Sequence, residues 1–423
     1  MSVLEQTVPE GYKKTEVGVI PKEWGAKDLG EVCSLKSGLG ITAKDIDINS
    51  NFPCYGGNGL RGYTKTFTHE GDYALIGRQG ALCGNVQFAN GKFFASEHAL
   101  VATPNKDNDA KWLSIYLERM NLNQYSESSA QPGLSAEKLK VLKLITPLPK
   151  EQTAIANALS DVDALLTELK KLIAKKQAIK TATMQQLLTG KTRLPQFATY
   201  SEGEKQGQPK GITPSELCEI PEDWHHFIID KNATLKARIG WQALTTKEYL
   251  DSGNKYLVTG TDFDAGEVNW SSCCYVSDWR YKQDSNIKLK ENDVLITKDG
   301  TIGKVGFIKK LPLPATLNSG VFVIRPKGNS FLPKYLFYIL TSSIFKKFIK
   351  GITAGSTITH LYQKDFVHFG FYGPKIEEQT AIATILSDMD NEIQALEKRL
   401  TKTRQIKQGM MQQLLTGRTR LPF

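Results

Sequence analysis

The chain has 423 residues, of which 40% are hydrophobic, and a formal net charge of +10. That length predicts about two to four globular domains, and the hydrophobic content is enough for their cores, which excludes a largely disordered chain. No run approaches the roughly 18 apolar residues that cross a bilayer, and the first residues lack the basic start and apolar core of a signal peptide. We therefore expect a cytoplasmic protein with no membrane partner.

Cysteine and histidine, with six residues each, argue against a metal site. The cysteines show no two-residue spacing, and the histidines offer no pair beyond His225 and His226, so the ligand spacing of a zinc site is missing. We expect free thiols and no metal. The positive charge suits a protein that touches phosphates along a broad face, although many soluble proteins carry as much without a nucleic-acid partner.

The first 148 residues are predicted to be rich in strands. The apolar run Asp72–Ile76 predicts a strand, and Gly77–Gly80 predicts the polar turn that ends it. A helix is predicted around Lys111–Arg119. Strands mixed with helices are typical of an α+β domain, which we name the first head.

Two turns of the first head carry candidate DNA-binding side chains. The glycines between positions 55 and 63 permit close backbone approach, and the polar and aromatic residues among them offer hydrogen bonds and stacking faces to bases or phosphates. A hairpin turn with a solvated arginine explains the same residues equally well. The turn at 77–80 offers the residue types that pair with guanine and adenine edges. The candidates are Tyr55, Asn58, Arg61, Tyr63, Arg78 and Gln79.

Residues 149–195 predict a long helix. Pro147 and Pro149 stand where proline precedes or opens a helix, and Gly190 stands where a left-handed residue ends one. The roughly 36 residues between these stops would span about 54 Å at 1.5 Å per residue. The passage recurs 227 residues later, because Glu151–Pro195 aligns with Glu378–Pro422 without a gap and 26 of the 45 positions are identical.

Each copy carries an apolar stripe at alternating steps of four and three residues, the pattern of a coiled-coil seam. Because an isolated helix could not bury this stripe, the two helices are predicted to pack on each other. The seam residues are Ile155, Leu159, Val162, Leu166, Leu169 and Ile173, and Ile382, Leu386, Met389, Ile393, Leu396 and Leu400. Where lysines next enter the stripe, we expect the seam to shift to Ile179, Leu187 and Leu188, and to Ile406, Leu414 and Leu415.

A second head follows the first helix. Residues 196–213 are polar and predict a linker, and Ile220–Trp224 then repeats the Ile-Pro-x-x-Trp motif of Ile20–Trp24. A strand over Asp293–Ile296 is followed by the turn Thr297–Gly300, and a helix is predicted around Pro333–Phe348.

The second head has its own candidate DNA-binding residues. Lys298 lies in the turn that corresponds to Gly77–Gly80, and the basic cluster of Lys346, Lys347 and Lys350 precedes the glycine-bearing segment Gly351–His360. Anchoring of phosphates is one interpretation of the cluster, and a solvated helix face is the other. The expected regions are a first head over 1–148, a helical region over 149–195, a linker over 196–213, a second head over 214–374 and a helical region over 375–423.

Two variable heads alternating with two near-identical helices, the Ile-Pro-x-x-Trp motif at each head and the duplicated ending Gln-Gln-Leu-Leu-Thr-Gly resemble the specificity subunit of type I restriction-modification systems. The first helix starts with Pro147-Leu-Pro-Lys-Glu-Gln152, and the second departs slightly with Pro374-Lys-Ile-Glu-Glu-Gln379. The resemblance covers the whole chain. It implies an α+β fold in which two mixed α/β target recognition domains are separated by two long helices that form an antiparallel coiled coil, with a pseudo-twofold internal repeat.

The resemblance also implies a function and partners. Each head would read one half of an asymmetric, bipartite site on double-stranded DNA, and the paired helices would space the heads and dock two adenine methyltransferase subunits. Restriction and translocase subunits would join outside. The chain would have no cofactor of its own, because S-adenosylmethionine, ATP and Mg would be bound by the partner subunits.

Two other functions compete with this one. The sequence has no Asn-Pro-Pro-aromatic motif of amino-methyltransferases, no glycine-rich nucleotide loop and no convincing nuclease carboxylate cluster, so we expect no catalytic activity. A coiled-coil scaffold that never touches DNA stays open. Salt dependence separates it from the DNA-binding interpretation, because DNA binding weakens as counterions are released.

Overall fold

A computed structural model describes residues 8–80, 82–126, 132–215, 219–353 and 360–422 of the chain. The chain forms two compact units: unit 1 is Met1–Lys171 with Glu397–Phe423, and unit 2 is Leu172–Leu396. Each unit therefore combines one head with a segment of each long helix. The five regions expected from the sequence remain a prediction, since the units divide within the helices and not at the edges of the heads.

The elements of the first head are short apart from one pair of longer strands, of 9 and 10 residues. The strands are β1 Tyr12–Thr15, β2 Gly18–Pro21, β3 Gly25–Asp28, β4 Cys33–Ser37, β5 Phe52–Gly56, β6 Gly59–Thr64, β7 His69–Gly77, β8 Val86–Ala95, β9 Ala99–Pro104 and β10 Lys143–Thr146. The helices are α1 Leu29–Val32, α2 Ala110–Arg119 and α3 Ala136–Lys140, with 3-10 turns at Ala43–Asp45 and Leu122–Tyr125. The first long helix is α4, Pro149–Leu187.

The main sheet of unit 1 has the strand order β4-β9-β7-β8-β5-β6. Its centre is β7, in which Ala74, Leu75 and Ile76 are buried and pair on both sides, with β8 and with β9. Helix α2 covers β7 and β8, and Asp109 caps it by accepting hydrogen bonds from the amides of Lys111 and Trp112. The two smaller sheets, β1-β2 and β3-β10, connect the head to the long helices.

The second head has more and shorter strands. They are β11 Ile212–Pro214, β12 Glu219–Pro221, β13 His225–Ile228, β14 Ala233–Ala237, β15 Tyr256–Val258, β16 Phe263–Asp264, β17 Glu267–Val268, β18 Cys274–Tyr275, β19 Val294–Thr297, β20 Val305–Phe307, β21 Ala315–Leu317, β22 Val321–Pro326 and β23 Gly370–Gly373. The helices are α5 Ile229–Asn232, α6 Asp278–Lys282, α7 Pro333–Thr341, α8 Ser343–Thr353 and α9 Gln363–Phe366, followed by the second long helix, α10 Ile376–Leu414.

The two heads share a frame and differ in what is added to it. In unit 2 the main sheet runs β14-β22-β19-β20-β17-β16, and its first four strands repeat the order of β4, β9, β7 and β8 in unit 1. The hairpins β1-β2 and β11-β12 correspond, and so do the pairs β3-β10 and β13-β23. Beyond that frame, unit 2 has a separate three-stranded sheet, β18-β15-β21, for which the described part of unit 1 has no equivalent.

Both long helices have 39 residues, which is about 58 Å at 1.5 Å per residue. Pro149 opens α4, and Gly190 and Gly417 follow the two helices with φ of +72°, the left-handed conformation that glycine adopts without a Cβ penalty. The proline and glycine signals in the sequence therefore lie at the ends of the observed helices. The fold therefore consists of two mixed α/β heads and a repeated long helix, as predicted.

Within each unit, a segment of α4 packs against a segment of α10 in the antiparallel sense. In unit 2 Lys176 pairs with Glu392 at 2.6 Å, and Lys180 pairs with Asp390, so position numbers rise along one helix while they fall along the other. In unit 1 the Lys407 ammonium lies 2.7 Å from the Asp163 carboxylate.

The predicted seam residues lie inside the helix pair. Eight of the twelve are no more than 8% exposed, and Val162, Met389, Leu396 and Leu400 are half-buried. Leu187, Leu188, Leu414 and Leu415 are buried as well. The expected shift to Ile179 and Ile406 is wrong, because these side chains are 43% and 47% exposed. The lysines keep their places in the stripe, since each reaches a carboxylate on the opposite helix and has no need to leave the seam.

The Thr-Arg-Leu-Pro sequence after each long helix makes an arginine-carboxylate contact that we call a clasp. In unit 2 Arg193 donates from Nε and Nη2 to the Glu378 carboxylate at 2.7 and 2.6 Å, and it also binds Asp223. In unit 1 Arg420 donates to Glu151 at 2.7 Å and to Glu23 at 2.9 Å. Each clasp joins the end of one long helix to the first turn of the other.

The predicted linker is not an extended spacer. A 3-10 turn at Pro195–Phe197 leads into this segment. The segment then forms a compact loop, in which the backbone of Tyr200 pairs with the backbones of Gln206 and Gln208. The Tyr200 hydroxyl binds the Glu222 carboxylate, and Lys210 forms an ion pair with Asp223 at 2.8 Å. The loop therefore packs beside the clasp of unit 2.

Of the two helices predicted within the heads, one is confirmed and the other is divided. The helix predicted around Lys111–Arg119 is α2, whereas the one predicted around Pro333–Phe348 is divided at Ser342 into α7 and α8. The Ser342 hydroxyl donates to the Ile339 carbonyl and accepts from the Ile344 amide, so it ends one helix and starts the next. Among the described residues, no helix combines the length and the apolar character that a membrane span requires.

Candidate nucleic-acid interface

Four turns of unit 1 meet at one place, which we call the first loop cluster: residues 37–41, 56–59, 77–80 and 96–98. Gly77 lies so close to the second turn that a Cβ there would be 1.9 Å from the Gly57 carbonyl oxygen, so only glycine fits. The Arg78 amide donates to the His98 carbonyl at 3.0 Å, and the Ile41 amide donates to the Glu97 carboxylate at 3.2 Å. Sheet topology therefore gathers turns that are far apart in sequence.

The backbone of the turn at 77–80 is held on both sides. Besides the bond to His98, the carbonyl of Arg78 accepts from the Leu134 amide at 2.8 Å, and the Gly80 amide donates to the Pro132 carbonyl at 3.0 Å. A turn fixed in this way projects its side chains from a rigid base. Such rigidity favours recognition, because less conformational freedom is lost when a ligand binds.

The side chains of this turn are hydrogen-bonded to the rest of the cluster. Arg78 donates from Nη1 to the Ser37 hydroxyl at 2.6 Å, while its buried Nε has no hydrogen-bond partner among the described residues. The Oε1 of Gln79 lies 2.8 Å from Nδ1 of His98, whose Nε2 lies 3.1 Å from the Glu97 carboxylate. Gln79 is exposed, and Arg78 and His98 are half-buried.

The segment Tyr55–Tyr63 is a hairpin, formed by β5 and β6 around Gly57 and Asn58. Asn58 and Arg61 are exposed, and Asn58 belongs to the first loop cluster. Tyr55 packs the edge of its ring against Phe93 at 5.8 Å between centroids, and burial raises the pKa of its hydroxyl. Tyr63 lies on the edge strand β6, where its backbone pairs with Asp47. A role of these four residues in DNA binding stays a prediction.

The turn Thr297–Gly300 of unit 2 has the same backbone contacts as the turn at 77–80. The Lys298 amide donates to the Gly320 carbonyl at 2.9 Å, and its carbonyl accepts from the Leu361 amide at 2.7 Å, which repeats the two bonds of Arg78. The next residue, Asp299, contacts the His360 ring, and its backbone pairs with His360 as that of Gln79 pairs with Gly133. The Lys298 ammonium lies 5.3 Å from the centre of the Phe322 ring.

Lys346, Lys347 and Lys350 are exposed on α8 and line an open groove of about 710 Å³. The floor of the groove is apolar and includes Phe345 and Val305. The three lysines lie together, but they are on a different element from Lys298. Residues 354–359 of the predicted segment Gly351–His360 lie outside the described residues.

The structure gathers Asn58, Arg78 and Gln79 and leaves the other candidates of unit 1 on the hairpin. Sequence reasoning missed Ser37, Glu97 and His98, and it missed the bonded pair of Tyr249 and Asn318 in unit 2. No periodicity marks these residues. The only local signal was the close succession of glycines and polar residues that predicts turns.

No group of three or more histidine, cysteine or acidic side chains is placed to hold a metal ion within the described ranges. Cys33, Cys54, Cys83, Cys273 and Cys274 are free thiols. Burial raises the pKa of Cys33 to about 12, so this thiol is protonated near neutral pH and unsuited to nucleophilic chemistry. The turn Thr297–Gly300, with its partners Gly320 and Leu361, is the second loop cluster. Both loop clusters present hydrogen-bonding side chains on rigid turns, which suits recognition.

Comparisons with known proteins agree on one family. The model of the type I restriction modification DNA specificity domain matches residues 21–181 and 227–408. The EcoprrI specificity subunit of Escherichia coli is 43% identical over 162 residues, a match that spans 37% of this chain and 39% of that relative. The MjaVIII specificity subunit of Methanocaldococcus jannaschii is 23% identical over 430 residues, covering 97% of this chain and 96% of the relative.

Solved structures show the same fold. The S subunit of a type I restriction-modification system from M. genitalium has a TM-score of 0.62 at 18% identity, over 93% of this chain and 96% of that one. A chain from a study of complex assembly in a type I system has a TM-score of 0.51 at 15% identity, over 95% and 99% of the two chains. Since the family model matches well over half of its residues, the chain belongs to the family of type I restriction-modification specificity subunits.

Proposed function

We propose that this chain is the DNA-recognition subunit of a type I restriction-modification complex and that each head reads one half of an asymmetric, bipartite site. The observation that carries the proposal is the turn that both heads hold with the same backbone bonds. It presents Arg78 and Gln79 in the first head and Lys298 and Asp299 in the second. A constant backbone with changed hydrogen-bonding side chains is what reading different base edges requires.

The side chains define the chemistry of each half. Arginine and lysine donate to guanine, glutamine pairs with adenine, and a carboxylate accepts from the amino group of cytosine. The two turns therefore differ in what they offer, and the two halves of the site should differ in sequence. Asn58, Arg61, Tyr55 and Tyr63 would add contacts around the first half.

Phosphate contacts would position the heads on the duplex. Lys346, Lys347 and Lys350 lie on one helix face, where they suit phosphates better than base edges because they share no rigid turn. A protein that neutralises phosphates releases counterions, and its binding then weakens as salt rises.

The long helices would space the two heads and carry the partner subunits. Along α4, Leu165, Leu172 and Ile179 recur at seven-residue intervals and remain 39%, 38% and 43% exposed. An apolar row of this kind on a helix suits a second helix from another chain. We assign the surface to two adenine methyltransferase subunits, with restriction and translocase subunits outside them. S-adenosylmethionine, ATP and Mg would belong to those partners, and this chain would supply no catalytic group.

Selection from a randomised duplex library tests the function. The complex with its methyltransferase partners should enrich one sequence in two parts separated by unread bases, and its affinity should fall steeply with salt. Arg78→Ala should weaken DNA binding about tenfold and relax the base preference at one position of one half-site. Arg119→Ala, which removes an exposed arginine from α2 outside the cluster, should change neither. Enrichment of no sequence would contradict the proposal, and the absence of any DNA binding would support the scaffold instead.

A further inference from the structure

We propose that His98 is a positioning residue that sets which atoms of Gln79 face a base, so that protonation of His98 changes the base preferred at one position of the first half-site. The proposal rests on the reading of that half-site by the first head. It concerns the chain of contacts Glu97–His98–Gln79, which we call the relay.

In the relay both ring nitrogens of His98 have a partner, whereas within the described part of the chain the Gln79 side chain has a partner at only one of its two polar atoms. His98 lies between two acceptors, with Nδ1 2.8 Å from Oε1 of Gln79 and Nε2 3.1 Å from Oε1 of Glu97. The amide nitrogen of the Gln79 side chain has no hydrogen-bond partner among the described residues, and the side chain is exposed. Gln79 therefore has one end tied to the protein and one end free to meet a ligand.

The proton count of the ring decides which end is tied. A histidine that donates from both nitrogens carries two protons and a positive charge. A His98 ring that carries both protons would donate to both of these acceptors at once. When the ring is neutral, its one proton is held best at Nε2, because the Glu97 carboxylate is the stronger acceptor.

Loss of the second proton then reverses Gln79. Neutral His98 presents a bare Nδ1, which accepts a hydrogen bond and so requires the amide nitrogen of Gln79 in place of its oxygen. A half-turn about the last side-chain bond exchanges the two atoms without moving the backbone. The outward atom of Gln79 is a donor when His98 is protonated and an acceptor when it is neutral.

Within the described ranges, charged groups on three elements lie near His98. On its own turn lies Glu97, at 3.1 Å. On the turn packed against it lies Arg78, whose guanidinium is directed to Ser37. On the neighbouring hairpin lies Arg61, whose side chain is packed against Gly56. Of these groups, Glu97 is the one in direct contact with the ring.

The two states of Gln79 suit different bases. An outward amide group donates to the purine N7 acceptor, and an outward carbonyl accepts from the amino groups of adenine or cytosine. Acidic conditions should therefore favour a guanine or adenine read through N7, and alkaline conditions a base with an exposed amino group. In unit 2 the matching turn residue is Asp299, and its ring partner His360 lies where unit 1 has Gly133. A carboxylate presents acceptor oxygens in either orientation, so we expect no such switch in the second head.

Selection at two pH values tests the relay. The complex with its methyltransferase partners would be offered a randomised duplex library at about pH 5.5 and about pH 8.5, on either side of the range in which histidines titrate. The expected result is a change of preference of about tenfold at one position of one half-site. His98→Ala should remove the change. In Gln79→Glu the outward atom is an acceptor at both pH values, so a base with an exposed amino group should be preferred at both.

The controls separate the relay from the function on which it rests. His368→Ala removes an exposed histidine of unit 2 and should leave the change intact. Enrichment of one unchanging bipartite sequence at both pH values, or a change that survives in His98→Ala, would overturn the relay and leave the proposed function standing. Failure to enrich any sequence would overturn both. Unaltered reading of the second half-site shows that a variant is folded.

Discussion

The clasps and the loop clusters each occur twice in the chain, but the two copies are conserved in different respects. At the clasps, Arg193 with Glu378 and Arg420 with Glu151 repeat the same residue types at the same places of the two helical copies. At the loop clusters the backbone bonds repeat while the side chains change, from Gln79 to Asp299 at the third residue of each turn. Sequence identity is thus kept where helices must be joined, and backbone geometry alone is kept where bases would be read.

The two clasps are alike in residue type and differ in burial. The side chain of Arg193 is 10% exposed and that of Glu378 is 4% exposed, whereas Arg420 is 34% exposed. Glu151 is buried but has a second partner, because the Trp24 indole donates to it at 2.8 Å. The matching indole of Trp224 has no hydrogen-bond partner among the described residues. The clasp of unit 2 therefore depends more on its arginine.

The largest expected effect follows from this difference. Arg193→Ala should cost about 3–5 kcal/mol of unfolding free energy, since it strands the buried Glu378 carboxylate. Arg420→Ala should cost about 1–2 kcal/mol, because Glu151 keeps the Trp24 indole. Denaturant unfolding of the two variants beside the parent chain measures both losses. Equal losses would show that burial does not distinguish the clasps.

A smaller effect concerns acid. Against the effect of burial, hydrogen bonds from Arg193 and Lys210 hold the pKa of the Asp223 carboxyl below its ordinary value. A depressed folded-state pKa adds stability that is present above the unfolded pKa of about 3.9 and is lost as pH falls through the folded value. Asp223→Asn should therefore flatten the acid limb of a stability-against-pH curve.

The matched position in unit 1 gives the control for the acid prediction. Glu23 meets Arg420 from a side chain that is 54% exposed, so its ion pair contributes little. Glu23→Gln should leave the acid limb of the curve close to that of the parent chain. A steeper acid limb in Asp223→Asn than in the parent chain would contradict the assignment.

The helical part of the fold was predictable because its signals are local. Proline at 149, glycine at 190 and 417, and an apolar residue every three or four positions mark the ends and the buried face of each helix. The exposure of Ile179 and Ile406 could not be predicted from such local signals. Whether a lysine leaves a seam depends on a carboxylate some two hundred residues away, as Lys180 and Asp390 show.

The loop clusters were only partly predictable for the same reason. The turn residues Arg78, Gln79 and Lys298 follow apolar strands, which a sequence reveals directly. Their partners do not, because His98 and Ser37 reach the turn through strand pairing, 19 and 41 positions from the residues that they bind. Sequence reasoning therefore located one side chain of each contact and missed the other.

Exchange of one head tests the central claim, that two independent readers share one helical frame. Residues 25–146 would be replaced by the corresponding head of a relative, and methylated adenines would be mapped in cells that carry the chimera and its partner subunits. The expected result is a site in which one half changes while the other half and the unread interval stay the same. A site in which both halves change would contradict the claim.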